Sequence, residues 1–296
     1  MKKSMSEMEI SIVIPAKNEG DSLDQLLKDI KNTVPDAEII VVNDGSTDNT
    51  GKICKKNNVI VLNHIHSLGN GASIKHGARH ATKDVILFMD ADGQHRPEDI
   101  PKLIKKLKSG YDMVVGARIS STQASLTRKL GNFLYNKLAS FMTGQKIEDL
   151  TSGFRIVKRK KFLQFLYLLP NGFSYPTTST MAFFRSGYSV GYVTIKAEQR
   201  TGKSHINILK DGLKFFTIIL KIGALFSPMR LFLPLSFFLF IIGVTYYAYT
   251  FLTIHRFTNM SALLFISSLF MFMMGIISEQ ISSLHYKDID KTNDEQ

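Results

Sequence analysis

The stretch Ile86–His95, ILFMDADGQH, decides the fold class. With Val85 before it, an unbroken apolar run leads into Asp90-Ala91-Asp92. A short apolar run without polar alternation is the pattern of a parallel strand buried on both faces. Open α/β sheets bind ligands in the crevice beyond the carboxyl ends of their strands. Two carboxylates two residues apart at such an end can share one hard divalent cation with the phosphates of a nucleotide.

The sequence before this stretch supplies the rest of the sheet. Ile10–Pro15, ISIVIP, reads as the first buried strand. After the loop Ala16–Gly20, Asp21 or Ser22 can cap a helix with Leu23, Leu26, Leu27 and Ile30 on one face. Glu38–Val42, EIIVV, is the second strand and runs into the turn Asn43–Thr50. Val59–Asn63 is a third, short strand, and Leu68-Gly69-Asn70-Gly71 opens the next helix. This alternation predicts an α/β fold, a mostly parallel sheet with helices on both faces. It also gathers acids on one edge: Glu19 after the first strand, Asp44 after the second, Asp90 and Asp92 after the fourth. Asp44 suits a base or ribose hydrogen bond, and Asp90 and Asp92 suit metal and ribose.

Farther along, Pro97–Gly110 reads as a helix, and Asp112–Val115 as a strand ending in Gly116-Ala117-Arg118. Thr127–Thr143 is helical, with Arg128 and Lys129 near its start. A polar turn, Asp149–Arg155, enters Ile156-Val157, and Lys158–Lys161 reads as a solvated helix start. Gly191–Glu198 is a further strand before the basic loop Gln199–His205. There Arg200 can pair bidentately with a diphosphate and Lys203 adds a point charge. The loop lacks the G-x-x-x-x-G-K-[ST] spacing of a P-loop.

Lys and Arg number 37 against 25 Asp and Glu, a net charge of +12. That surplus suits an anionic membrane, a phosphorylated substrate or a nucleic acid. The single Cys54 excludes an intramolecular disulfide and a cysteine-based zinc site. MKKSMSEMEI has no apolar core and is not a secretory signal. Leu231–Ile254 and Ser261–Leu284 are each apolar and long enough to span a bilayer as a helix. Joined by His255–Met260, they predict a transmembrane hairpin, with Gly243 and Gly275 permitting close helix packing and a homo-oligomer. Basic residues are dense before the first span, so the large domain and the tail are expected on the cytoplasmic side of the membrane. Ile208–Leu225 sets Lys210, Lys214 and Lys221 among apolar residues, which suits a helix at a membrane surface. The expected organisation is a domain over 1–205, a juxtamembrane helix over 206–229, a hairpin over 230–285 and a disordered tail over 286–296.

Seven motifs follow in order: SIVIPAKNE (11–19), VVNDGSTDNT (41–50), LGNGASIKHG (68–77), FMDADGQH (88–95), VVGAR (114–118), TSGFR (151–155) and RTGKS (200–204). With them the chain resembles family 2 glycosyltransferases of the GT-A fold. Within that family it looks like the dolichol-phosphate and undecaprenyl-phosphate sugar transferases. The resemblance implies transfer of a sugar from a UDP- or GDP-linked donor to a membrane polyprenyl phosphate, with inversion. It implies that Pro15, Ala16, Glu19, Asp44 and Ala91 hold the nucleotide sugar. Asp90, Asp92 and Gln94 would hold Mg²⁺ or Mn²⁺. Arg118, Arg200 and Lys203 would face the sugar or phosphates, and Arg128, Lys203 and Ser204 the lipid phosphate. Asp92, Arg200 and Asp149 would stand nearest the reacting atoms. Two positions depart from the pattern: His205 stands where relatives carry Lys or Arg, and Asn43 where some carry Asp.

A phosphate acceptor is already anionic at neutral pH, so the expected chemistry needs no dedicated histidine base. Asp149 would then position groups or cap a turn; with a hydroxyl acceptor it would be the base. His64, His66, His76 and His80 show no H-E-x-x-H pattern and read as surface or core contacts, whereas His95 lies beside the acid pair. A processive polysaccharide synthase is disfavoured, because the chain has no Trp for a Q-x-x-R-W motif and only two spans. The remaining alternatives are transfer to a glycan, glycolipid or protein hydroxyl, and an inactive membrane-binding scaffold.

Overall fold

Ile10–Ala16 (β1) is buried at every residue, as its apolar run requires. It pairs in parallel with β2 (Glu38–Asp44) on one side and β4 (Val85–Phe88) on the other. The computed structural model describes residues 8–118, 126–172, 174–196, 221 and 223–294. Contacts divide the chain into one unit of residues 1–139 and 145–205 and a second of 140–144 and 206–296.

In the first unit, β2 also pairs with β3 (Ile60–His64), a parallel edge strand. Seven strands lie in the order β3-β2-β1-β4-β6-β5-β7, with β5 at Met113–Arg118, β6 at Arg155–Lys158 and β7 at Val190–Ile195. Only β6 runs against its neighbours β4 and β5. Helices α1 (Gly20–Thr33), α2 (Thr50–Lys56) and α3 (Asn70–His80) make the crossovers between β1 and β4. The apolar face of α1 is buried as its spacing predicts: Leu23, Leu26, Leu27 and Ile30 are at most 5% exposed. Each such side chain removed from water contributes roughly 1.5–3 kcal/mol. Pro97–Asp99 is a single 3₁₀ turn rather than the first turn of α4, which runs Ile100–Lys108. α5 is Leu126–Thr143, and a short α6 (Arg159–Leu163) contains the Lys160-Lys161 pair.

Tyr175–Arg185 forms a helix, α7, whose first nine residues are buried. The sequence gives this element no amphipathic stripe, because Thr177, Thr178, Ser179 and Thr180 are buried along with the apolar residues.

In the second unit, α8 (Pro228–Ile254) and α9 (Asn259–Asp294) form an antiparallel hairpin. Pro228 opens α8, since the first turn of a helix has no use for its missing N–H. The apolar windows of both helices are long enough to cross a membrane, and only 11% and 17% of them is buried within the protein, unlike core helices. Ser236 and Ser268 donate Oγ hydrogen bonds to each other's carbonyls at 3.0 and 2.9 Å. Glu279 accepts the Met229 N–H at 3.3 Å, placing its carboxyl group at the start of α8. The last turn of α5 belongs to this unit: Phe141 O accepts from Arg230 and Met142 O from Ser227, both at 2.7 Å. The tail expected to be disordered continues α9 as helix through Asp294, as an extension of a helix already nucleated within the hairpin. Residues 208–220 of the expected juxtamembrane helix lie outside the described residues; 221 and 223–226 are helical.

Candidate active site

The carboxyl ends of β1, β2 and β4 share one edge, and the loops there are tied to one another. Asn18, in the left-handed region at φ 54°, accepts the Thr47 N–H at 2.8 Å, and its own N–H donates to Ser46 Oγ. The Glu19 N–H donates to Thr50 Oγ1 and the Gly20 N–H to Asp48. Ser22 Oγ donates to Ala91 O at 2.8 Å and, more weakly, to the Glu19 carboxylate at 3.3 Å. Pro15 and Ala16 end β1 beneath these loops, so the residues expected to face the nucleotide form one joined platform.

Asp90 and Asp92 follow β4 directly and are partly buried. Asn70, the first residue of α3, extends its side-chain amide to Asp90 at 3.4 Å, a long hydrogen bond. Gly153 backs Asp90 so closely that an added Cβ would lie 2.5 Å from a carboxylate oxygen, which explains the glycine of TSGFR. Asp92 accepts the Gln94 N–H at 3.1 Å, closing the turn that brings Gln94 back beside the pair. His95 is 4% exposed, stacks on Phe154 at 5.1 Å and leaves Nδ1 without a partner. Burial holds the His95 pKa below the usual histidine value despite Asp90 and Asp92 nearby.

Among the described residues, no three His, Cys, Asp or Glu side chains converge on a single metal position. The acid pair nevertheless fits a hard cation that takes its other ligands from a diphosphate and water, as Mg²⁺ commonly does. With glycine at 153, no side chain from that position crowds Asp90, in keeping with that fit.

Asp149 is engaged as the partner of Arg118. Arg118 binds it through Nε at 2.8 Å and Nη2 at 3.0 Å, and the Thr151 and Ser152 N–H groups donate to it at 3.1 Å. Asn136 on α5 holds this turn by donating to Glu148 O and accepting from the Leu150 N–H. Burial pushes the Asp149 carboxyl up, but the Arg118 hydrogen bonds and charge outweigh it and keep the pKa below the ordinary value. A lowered pKa gives stability that is present above the unfolded-state value and lost as pH falls through the folded one. Arg118→Ala is therefore expected to lower stability by about 2–3 kcal/mol at pH 7. The loss should shrink towards pH ~4, where the stranded carboxyl takes up a proton. Thermal melts at both pH values check this; equal losses would mean that the pair does not set Asp149's charge.

Asp44 departs most from its expected use. It is 4% exposed. Oδ1 accepts from His64 Nδ1 and the Leu68 N–H at 2.7 and 2.8 Å, and Oδ2 from Ser67 Oγ and the Gly69 N–H at 2.7 and 3.0 Å. Four donors fill the capacity of a carboxylate. Burial would raise its pKa, yet these hydrogen bonds bring it down to about 2. Through these four bonds Asp44 fixes the turn before Asn70.

Sequence reasoning missed Asn70, Gly153 and Arg155 as single residues, although the motifs LGNG and TSGFR contain them. Arg155 is completely buried and donates to Ser152 O, Pro176 O, Ser179 Oγ and Thr180 Oγ1. An arginine directly before the apolar pair Ile156-Val157 was the available signal. Arg200, Lys203 and Ser204 lie outside the described residues, and Arg128 falls in the first turn of α5.

The Glycosyl transferase family 2 signature spans residues 11–166. The chain belongs to this family. A second signature, the GtrB C-terminal hairpin, covers residues 227–284. The chain is 26% identical to glycosyltransferase AglJ of Haloferax volcanii over 95% of its own length and 96% of that protein's. It is 35% identical to the undecaprenyl-phosphate 4-deoxy-4-formamido-L-arabinose transferase of Proteus mirabilis, over 51% of this chain and 49% of that one. It thus spans about half the length of that relative. The fold is similar to that of glucosyl-3-phosphoglycerate synthase from Mycobacterium tuberculosis, crystallised with Mn²⁺, uridine diphosphate and glucosyl-3-phosphoglycerate. The TM-score is 0.58 at 18% identity, over 73% of this chain and 78% of that one. The sheet is that of a GT-A glycosyltransferase, and the protein is a glycosyltransferase enzyme carrying a C-terminal apolar hairpin.

Proposed function

We propose that the protein transfers a sugar from a UDP- or GDP-linked donor to a membrane polyprenyl phosphate, giving a polyprenyl-phosphate sugar. The observation that carries this reading is the hairpin. A family 2 domain with an acidic sheet edge is followed in the same chain by two helices that match the GtrB C-terminal hairpin. Such a hairpin brings the catalytic edge to a lipid acceptor.

Asp90 and Asp92 would hold Mg²⁺ or Mn²⁺, with Gln94 beside them. When bound, the ion supplies positive charge to the leaving diphosphate. The platform made by Pro15, Ala16, Glu19 and Ala91 orients the nucleotide. Arg118 is anchored by Asp149, and Arg200 and Lys203 would meet the donor and acceptor phosphates. Two anionic reactants must approach each other, so the work of this chain is to offset their charge and align them. An acceptor phosphate needs no proton removed, which agrees with an Asp149 that is ion-paired. Attack opposite the diphosphate inverts the anomeric carbon. The catalytic unit and both ends of the hairpin are assigned to the cytoplasmic face of an inner membrane by the positive-inside rule.

Purified full-length protein in detergent is the test. Given radiolabelled UDP- and GDP-sugars, Mg²⁺ or Mn²⁺ and undecaprenyl or dolichyl phosphate, it is expected to make an organic-extractable product that mild acid cleaves. Label appearing only in glycan or protein would mean a hydroxyl acceptor instead. No incorporation from any donor would leave the protein without the proposed activity.

A further inference from the structure

Beneath the nucleotide platform lies a chain of side chains that the reaction itself does not use. It runs from His76 on α3 through His64 at the end of β3 to Asp44 at the end of β2. His76 Nδ1 and His64 Nε2 are 3.0 Å apart, and the two rings lie within 8° of parallel. His64 Nδ1 is 2.7 Å from Asp44 Oδ1, with both side chains at most 7% exposed. An ionised carboxylate only accepts, so His64 Nδ1 donates to it. In the tautomer with its proton on Nδ1, His64 accepts at Nε2 from the Nδ1–H of His76. The remaining oxygen valences of Asp44 hold Ser67, Leu68 and Gly69. The next residue is Asn70, whose amide reaches Asp90.

The turn is clamped from its other side as well. The Gly71 and Ala72 N–H groups donate to Gly172 O and Asn171 O, and Lys75 Nζ donates to Leu169 O at 3.0 Å and Asn171 Oδ1 at 2.6 Å. Added Cβ atoms on Gly69 and Gly71 would lie 2.5 and 2.1 Å from the carbonyl oxygens of Asn171 and Pro170. The start of α3 therefore has little freedom except through the Asp44 side. Buried hydrogen-bonded chains of this kind hold their terminal group in one orientation only while every link is made.

We propose that His76 and His64 are positioning residues for Asp90: they lock Asp44, Asp44 locks the Ser67–Gly69 turn, and the turn sets Asn70 against the acid. The inference rests on the reading of Asp90 as a metal ligand for its kinetic consequence, but not for its structural one.

The test uses the full chain in detergent with four variants: His76→Leu, His76→Asn, Asn70→Ala, and His76→Leu combined with Asn70→Ala. Asparagine places an amide N–H where histidine has Nδ1–H, whereas leucine has no donor. Hydrogen exchange at the Leu68 and Gly69 amides reports the turn, and the Mn²⁺ concentration for half-maximal transfer reports Asp90. His76→Leu should lose on the order of tenfold in protection at those two amides and require on the order of tenfold more Mn²⁺. His76→Asn should restore most of both. The combined variant should need no more Mn²⁺ than Asn70→Ala alone, because the two changes break one chain. Unchanged protection in His76→Leu, an unrescued His76→Asn, or Mn²⁺ effects that simply multiply would each overturn the proposal. Should His76→Leu not fold, His76→Ala replaces it in every comparison. If the wild type transfers no sugar to any acceptor, the proposed function fails, and the exchange and rescue measurements still decide this inference.

Discussion

Replacing Asp92 by alanine is expected to lower transfer by about a thousandfold or more while leaving the protein folded. The two halves of that expectation have separate causes. The carboxylate is asked to bind a divalent ion that neutralises the leaving diphosphate, a contribution of several kcal/mol to the barrier, and each 1.36 kcal/mol is tenfold in rate. Against this, the carboxylate lies in a partly buried turn beyond the end of β4, where it accepts a hydrogen bond from the Gln94 N–H. Losing such a bond costs about 1 kcal/mol. Activity should therefore collapse with a melting temperature within a few degrees of wild type. Asp92→Asn should fare little better, since an amide keeps the turn but not the charge. The measurement is the transfer assay with circular-dichroism melts on the same preparations. Retained activity in Asp92→Ala, or wild-type activity that survives EDTA, would remove the metal from the account.

The contrast between Asp92 and Asp44 shows what a sequence can say about a site. Both are carboxylates at the ends of apolar strands, and both read as ligand contacts. The strands themselves were legible because their signal is local: ISIVIP, EIIVV and VILFM can be buried only as parallel strands once helices separate them. What a strand-end acid does next depends on partners far away in sequence. Asp44 meets His64 and the turn 67–69, some 20 to 25 residues on, and is filled by them. Asp149 meets Arg118, 31 residues earlier, and becomes half of an ion pair. No spacing rule encodes either encounter. The helical continuation of α9 past the second span was missed for the opposite reason, because a polar composition was allowed to outweigh the helix already in progress.

Helix α7 was the largest element that the sequence concealed, and the reason lies in Arg155. A buried helix is recognised by its apolar residues, but Thr177–Thr180 present hydroxyls, which interrupt that signal. Two of those hydroxyls, on Ser179 and Thr180, meet a guanidinium. Arg155 Nη1 donates to Pro176 O and Ser179 Oγ at 2.8 Å and to Thr180 Oγ1 at 3.1 Å, while Nε donates to Ser152 O at 3.1 Å. Ser179 and Thr180 also donate to Pro176 O, so that the first turn of α7 and the TSGFR turn close around one charge.

Arg155→Leu is accordingly expected to destabilise the protein by about 3–5 kcal/mol, the range for breaking a buried charged network. For a domain of this size that corresponds to roughly 10 °C in melting temperature. Arg155→Lys keeps the charge but has no planar fork to reach both sides, and should recover only part of the loss. A functional loss should accompany the structural one. Tyr175, at the start of α7, donates to Gly153 O at 3.3 Å, and Gly153 is the backbone against which Asp90 rests. Slack in α7 is thus passed to the acid pair across two contacts. Melts and transfer assays on the two variants separate the effects. An Arg155→Leu protein that melts within two or three degrees of wild type would mean that packing alone holds α7. A destabilised variant with undiminished transfer at low temperature would mean that Asp90 is fixed from the Asn70 side only.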